Sequence, residues 1–221
     1  MLGAFLTFLF LSHLAIGKDE DGIAKVNKLI DSVIAGETLT PKEWSDHLSA
    51  QSIDVNDLAK TDYPSGIAYG AVVSKIIKSK FADVLAAMTA DGAIFKLASA
   101  VETQRNFTKT KEEPKSLRLK LAIKVPIVAD IQTQDDVKVF EDSRGREIME
   151  WRQYGEEGDL VFNRGAVIVQ PNGDNCKVLV VGLHIIKPEK KVPWLGRGTA
   201  TAFAKTHYGN YIKALESFLG H

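Results

Sequence analysis

Apolar residues first recur at helical spacing at Ile23, Val26, Ile30, Val33 and Ile34, and Gly36 follows as a stop signal. Thr40-Pro41-Lys42-Glu43 then has the form of a capping box with proline at the first helical position, and Leu39 and Trp44 stand where a hydrophobic staple closes. Residues 18–62 therefore read as helical, with a second helix over about 41–49 and a short third turn around Val55–Lys60. Asp62-Tyr63-Pro64-Ser65-Gly66 is a breaker and the clearest domain boundary in the chain.

After Gly66 the pattern changes. Ile67–Ile77 is rich in isoleucine and valine and predicts a strand. Ser79 caps a helix with Phe81, Val84, Leu85 and Met88 on one face, ended by Asp91-Gly92. Six more strands are predicted at about 97–108, 117–128, 130–141, 146–154, 159–170 and 176–187. The clearest alternates Leu117, Leu119, Leu121, Ile123 and Val125 with Arg118, Lys120 and Lys124, giving one apolar and one wet face. Ser143-Arg144-Gly145, Gly155-Glu156-Glu157-Gly158 and Asn172-Gly173 are hairpin signals. A last helix over roughly 199–219 carries Ala200, Phe203, Ala204, Tyr208, Tyr211, Ile212, Leu215, Phe218 and Leu219. A curved sheet with an apolar face needs a cover, and this helix is the obvious one. The expected fold is α+β: a curved seven-stranded antiparallel sheet on a long C-terminal helix, with a helical N-terminal extension.

The first residues bear on compartment. Met1 to Ile16 has no charged side chain, and Gly17 is followed by Lys18-Asp19-Glu20-Asp21. The apolar run is shorter than the ~20 residues that span a bilayer, and Ala15-Ile16-Gly17 is a small-x-small cleavage site. The expectation is a signal peptide, residues 1–17, cut after Gly17, and a secreted or periplasmic protein. The competing reading is an uncleaved anchor, since no Lys or Arg precedes the run. Formal net charge is zero, so nothing global argues for nucleic acid. The single cysteine, Cys176, excludes an intramolecular disulfide and reads as a small buried residue. No CxxC or Cys/His cluster appears, so neither a metal site nor another cofactor is expected. Asn106-Phe107-Thr108 is a glycosylation sequon that matters only in a eukaryotic secretory pathway. No GxSxG or HExxH is present, and Gly196-Arg197-Gly198 lacks the rest of a phosphate loop.

Three stretches carry a family resemblance. Lys124-Val125-Pro126-Ile127-Val128 resembles a kinked bend between strands. Met149-Glu150-Trp151-Arg152-Gln153-Tyr154-Gly155, with Asn163 to Pro171, resembles a hairpin of the form W-x-x-x-G … x-G-x-W-x-x-x-P, with Ala166 or Val167 where many members carry Trp. Pro193-Trp194-Leu195-Gly196 precedes the last helix. Together with the element order, these resemble the helix-grip fold of the START/Bet v1 superfamily, the polyketide cyclase and coenzyme Q-binding type, over about 66–219. Residues 18–65 form a helical extension outside the resemblance, and 66–221 the cavity domain. The resemblance implies a deep apolar cavity between sheet and last helix for a lipid or other hydrophobic small molecule; fold alone does not give function.

Candidate ligand contacts follow. His184 lies in Val178–Ile186, where neighbours of both parities are apolar. Inward it is a ligand anchor or general base; otherwise it is an outer-face or satisfied core histidine. Arg152 and Arg164 sit on neighbouring strands and inside a cavity would hold a carboxylate or phosphate; facing solvent they would pair with Glu150 or Glu147. Phe203 and Tyr211 come from the last helix. Trp194, among Lys187, Lys190, Lys191 and Arg197, suits peripheral contact of the Lys187–Gly198 loop with an anionic membrane, or else tucks under the last helix. Three functions follow: a ligand-binding or transfer protein; a cyclase- or hydrolase-like enzyme using the same cavity; or an interaction module docking through 18–62. An apolar cavity favours the first, two or more inward ionisable groups with shifted pKa the second, and an exposed apolar stripe on the extension the third.

Overall fold

A computed structural model describes residues 23–53, 67–89, 101–102, 108–109, 116–123, 131–155, 158–187 and 197–220. Helix α1 covers residues 23–34. It ends where the sequence says: Gly36 takes φ +73°, its N–H donates to Val33 O (2.9 Å), and Glu37 N donates to Ser32 O (2.8 Å). This is a Schellman cap, whose left-handed position glycine occupies without steric cost.

The next segment departs from expectation. No helix forms at 41–49. The chain turns at Leu39, with φ 53°, and runs irregularly to strand β1, Ser49–Ser52. A nine-residue helix is marginal on its own. Here β2, Ile67–Ile77, offers an unpaired edge, and β1 pairs along it from Ser49↔Ser74 to Ser52↔Ala71. Ile76 N donates to Ser45 O at 2.7 Å and Ile53 N to Gly70 O at 3.1 Å. Satisfying that edge outweighs a local capping pattern. The turn expected at Val55–Lys60 and the Asp62–Gly66 boundary lie outside the described residues.

Helix α2, Phe81–Thr89, buries Val84, Ala87 and Met88, with Phe81 packed alongside. The remaining strands are β3 (Val101–Glu102), β4 (Thr108–Lys109), β5 (Ser116–Ile123), β6 (Ile131–Glu141), β7 (Glu147–Gln153), β8 (Leu160–Asn172) and β9 (Asn175–Ile186), followed by α3, Arg197–Phe218. All pairings are antiparallel, in the order β1-β2-β9-β8-β7-β6-β5-β3, with β4 also on β5. Among the described residues the sheet has six long strands and short edge pieces, and a seventh full strand is not seen there. The strand expected at 97–108 appears, among the described residues, as β3 and the start of β4. The bend at Lys124–Val128 lies outside them. No helix among the described residues is long and apolar enough to cross a membrane.

Both faces of the sheet are covered. On the inner face Ala71, Val73, Val167, Val169, Val178 and Val180 pack against α2 and against Ala200, Ala204, Tyr208, Ile212 and Leu215 of α3. On the outer face Val26, Ile30 and Val33 of α1 pack against Ile148, Ile168, Leu179, Val181, Leu183 and Ile185. Central strands buried on both sides lose the alternating pattern, which is why Val178–Ile186 is apolar at both parities. Helix α3 lies chiefly on β2 and also touches β1, β9 and α2. Lys75 Nζ on β2 reaches Glu216 Oε2 at 2.6 Å and pins its last turns.

Candidate functional site in the interior

Register builds a polar belt across the inner face. His184 on β9 stands opposite Tyr69 of β2 on one side and Asn163 of β8 on the other. A bulge between Leu160 and Phe162 shifts the parity of β8, so that Asn163 turns inward and Arg164 outward. Further along, Trp151 Nε1 donates to Asn163 Oδ1 (3.1 Å). Asn163 Nδ2 donates to Asp135 Oδ1 (2.7 Å) and Thr133 Oγ1 (3.1 Å), and Thr133 Oγ1 donates to Asp135. All of Thr133, Asp135, Asn163 and His184 are buried.

Two glycines shape the surface under this belt. Gly165 and Gly182 face each other in register. A Cβ at Gly165 would stand 2.1 Å from the Trp151 ring and 2.3 Å from Val181 O. One at Gly182 would stand 1.9 Å from the Tyr208 hydroxyl. The bare strip lets Trp151 lie across β8 and lets Tyr208 reach from α3 to His184 Nε2, with which its hydroxyl is hydrogen-bonded. The Tyr69 ring packs 4.9 Å from the His184 ring, centre to centre.

Among the described residues three buried side-chain atoms have no partner, Gln153 Oε1, His184 Nδ1 and the Tyr211 hydroxyl, and the last two belong to the inner face and α3. Whichever nitrogen of a neutral His184 carries the proton, one interior hydrogen-bonding valence is left open. Leaving such a group unmade is costly, so a ligand that fills it is favoured.

Burial sets the charges. Desolvation, aided by His207, pulls the His184 pKa down to about 3, so the ring is neutral at pH 7. Burial likewise lowers His207 and raises Tyr69, Tyr208 and Tyr211 above the ordinary tyrosine range; Tyr69 and Asp135 add to the rise at Tyr208. Burial pushes Asp135 up to about 7, against the opposing hydrogen bonds from Thr133 and Asn163. The interior histidine and tyrosines are therefore uncharged near neutrality, and Asp135 is poised between its two forms. Among the described residues no His/Cys/Asp/Glu group is placed to hold a metal.

The candidates named from sequence divide. His184 is inward and in the belt. Tyr211 and Phe203 both pack against the inner core, Phe203 stacked on His207 at 5.9 Å. The two arginines do not line the interior. Arg164 is buried on the outer face, where Nε and Nη2 bind Glu150 Oε1 (2.9 and 2.7 Å), Nη1 binds Asn27 Oδ1 (2.9 Å), and Nη2 pairs with Asp31. Asn27 and Asp31 lie one turn apart on α1, so this guanidinium fastens α1 to the sheet. Arg152, directly opposite Arg164, is largely exposed and bonds Glu150 at 2.9 Å. Trp194 and most of the Lys187–Gly198 loop lie outside the described residues. Tyr69, Thr133, Asp135 and Asn163 carry no such signal in the sequence: Thr133 and Asp135 lie in the polar run Gln132–Asp136 and Asn163 adjoins Arg164, so that only the cross-strand register reveals which of them turn inward.

No family model and no curated protein sequence matches the chain. Solved structures do. Human StAR-related lipid transfer protein 5 superposes with TM-score 0.60 at 12% identity, over 93% of this chain and 98% of that one. A STAR-related lipid transfer protein from Xanthomonas axonopodis gives 0.58 at 15%, over 82% and 98%. An aromatase/cyclase from Streptomyces sp. R1128 gives 0.53 at 10%, over 68% and 92%. The human match cannot reach its coverage without residues before Gly66, so the fold shared with it takes in part of the N-terminal segment as well. The chain has the START/Bet v1-type helix-grip fold, a curved antiparallel sheet closed by its C-terminal helix.

Proposed function

We propose that this protein binds and carries an uncharged hydrophobic small molecule, a lipid or similar compound bearing a hydroxyl or carbonyl, between the inner face of the sheet and α3. The observation that carries this reading is the pair of unpartnered buried polar atoms, His184 Nδ1 and the Tyr211 hydroxyl, among apolar walls. A few convergent polar groups in an apolar surround fix a ligand's orientation. The neutrality of His184 and the tyrosines disfavours a charged head group there. The lipid-transfer proteins of like fold agree with it.

A second reading has its own support. Asp135 with a pKa of about 7 is matched to proton transfer at neutral pH, and it shares the belt with His184 and Tyr208. A cyclase- or hydrolase-like reaction on the same bound molecule would use it as acid or base. The interaction-module reading is weaker, because the apolar stripe of α1 is already buried against the sheet. Export through residues 1–17, and contact of the Lys187–Gly198 loop with an anionic membrane, complete the proposal.

One experiment tests ligand and export together: native mass spectrometry of protein recovered from the exported fraction of expressing cells. The expected spectrum shows a chain starting at Lys18 with a one-to-one hydrophobic adduct released on activation. A chain starting at Met1 would contradict cleavage. An adduct-free protein that also takes up no lipid when one is added would contradict the binding function.

A further inference from the structure

A pocket of about 140 Å³ lies on the outer face, where the loop after α1 passes over β8 and β9 beside the β6–β7 turn. Its floor is apolar: Val33, Ile168 and Leu179 are all buried. Trp44 forms one wall, with Lys177 Nζ 5.6 Å over its ring. The segment that fails to form a helix at 41–49 is what delivers this tryptophan.

The rim is cationic, and the turn chemistry makes it so. Asp142 Oδ1 accepts from Arg144 N (2.9 Å) and Arg146 N (3.0 Å), with Gly145 at φ +69° between them. Both side chains come back toward the end of α1. A Cβ built on Gly36 would lie 3.2 Å from Arg144 Nη1 and 3.5 Å from Arg146 Nη1. Arg146 bonds Asp142 Oδ2 through Nε (2.8 Å) and Nη2 (2.6 Å), and Nη2 also caps Ile34 O at 2.6 Å. Capping the helix accounts for Arg146. It does not account for Arg144 or Lys177, whose side-chain cations pair with no carboxylate among the described residues. Three cations and one carboxylate thus surround a pocket with an apolar floor.

We propose that this pocket binds a small amphipathic anion, a carboxylate or phosphomonoester carried on a single ring or short chain. The size suits it, since a dry cavity of ~150 Å³ takes up benzene. The anion meets Arg144, Arg146 Nη1 and Lys177, while the ring lies on Val33, Ile168 and Leu179 beside Trp44. Charge-assisted bonds to guanidinium give the site its preference for anions. The site is separate from the interior and does not depend on the function proposed for it.

The test is an amide-shift NMR titration of the protein with sodium benzoate and phenyl phosphate, with benzyl alcohol as the uncharged control. A second arm measures co-flotation with vesicles containing phosphatidic acid, to separate a free anion from a lipid head group. Both arms are repeated on the double variant Arg144→Gln, Lys177→Gln, at one exposed and one half-buried position, with its melting temperature measured alongside to show that it is folded. The expected result is saturable shifts at Val33, Trp44, Ile168 and Leu179 for the anions but not the alcohol, weakened about tenfold or more in the variant. Flotation without shifts from the soluble anions, yet lost in the variant, assigns the site to a head group. The proposal is overturned if neither probe binds, if benzyl alcohol binds as well as benzoate, or if the variant binds like the parent.

Discussion

Ending the chain at Gly198 is expected to leave protein that is insoluble or molten. Helix α3 places Ala200, Ala204, Tyr208, Ile212 and Leu215 fully within the inner core, with Phe203, Tyr211 and Leu219 packed against it. Each large apolar side chain contributes roughly 1.5–3 kcal/mol on burial. Losing several of them is comparable with the ~5–15 kcal/mol that holds a domain together. Truncation also opens the inner face of β2 and β9 to water and strips His184 of its Tyr208 partner. The measurement is a thermal melt with near-ultraviolet circular dichroism and dye binding. Retained far-ultraviolet signal with no cooperative melt is the expected outcome. A truncated chain that still melts cooperatively would refute the sheet-and-helix account of the core.

The second large effect lies in the pH dependence of stability. Asp135 has a folded pKa of about 7, against ~3.9 in an unfolded chain. Its folded form keeps a proton that the unfolded form has lost. Its stabilising contribution is therefore whole below pH ~4 and drains away as pH rises to 7, with a slope near 1.4 kcal/mol per unit and a total of about 4 kcal/mol. His184 runs the other way. With a folded pKa of about 3 against ~6.5, only the unfolded form binds its proton, so stability is lost as pH falls below about 6.5. His207, also lowered by burial, acts in the same direction as His184. In the parent these slopes oppose each other between pH 4 and 6.5. Asp135→Asn should therefore gain stability relative to the parent as pH rises from 4 to 7. His184→Gln should gain relative to the parent as pH falls over the same range. Urea unfolding from pH 4 to 8 reads both, because a lost hydrogen bond shifts a curve without tilting it. Curves parallel to the parent's would show that neither group is held in the buried state described.

Much of this fold is legible in the amino-acid order, because its signals are local. Gly36 ends α1, the hairpin turns fall where glycine permits positive φ, and the stripe on α3 is visible as periodicity. The failures come where a distant partner decides. A capping box at Thr40 is the same chemistry whether or not a helix follows, and the open edge of β2 claimed residues 49–52 for pairing. Arg152 shares a parity with Ile148, and Arg164 stands opposite it on the next strand, but which face they take depends on α1 covering the outer side. In β9 both parities are apolar, so the inward turn of His184 follows only from its register with Tyr69 and from Tyr208 on a helix more than twenty residues away. The β8 bulge, which sends Asn163 inward, has no signature in the run Leu160–Arg164.

Photo-crosslinking shows whether the interior between sheet and α3 holds a hydrophobic guest, as proposed. The protein is mixed with a diazirine-bearing long-chain alcohol, irradiated with and without excess unlabelled alcohol, and the adducts are mapped by peptide mass spectrometry. The predicted result is competable labelling of inner-face positions such as Tyr69, Val180, Phe203 and Tyr211, one label per chain. Labelling confined to exposed positions such as Phe140, Tyr154 and Phe218, or labelling that the unlabelled alcohol leaves unchanged, would contradict it.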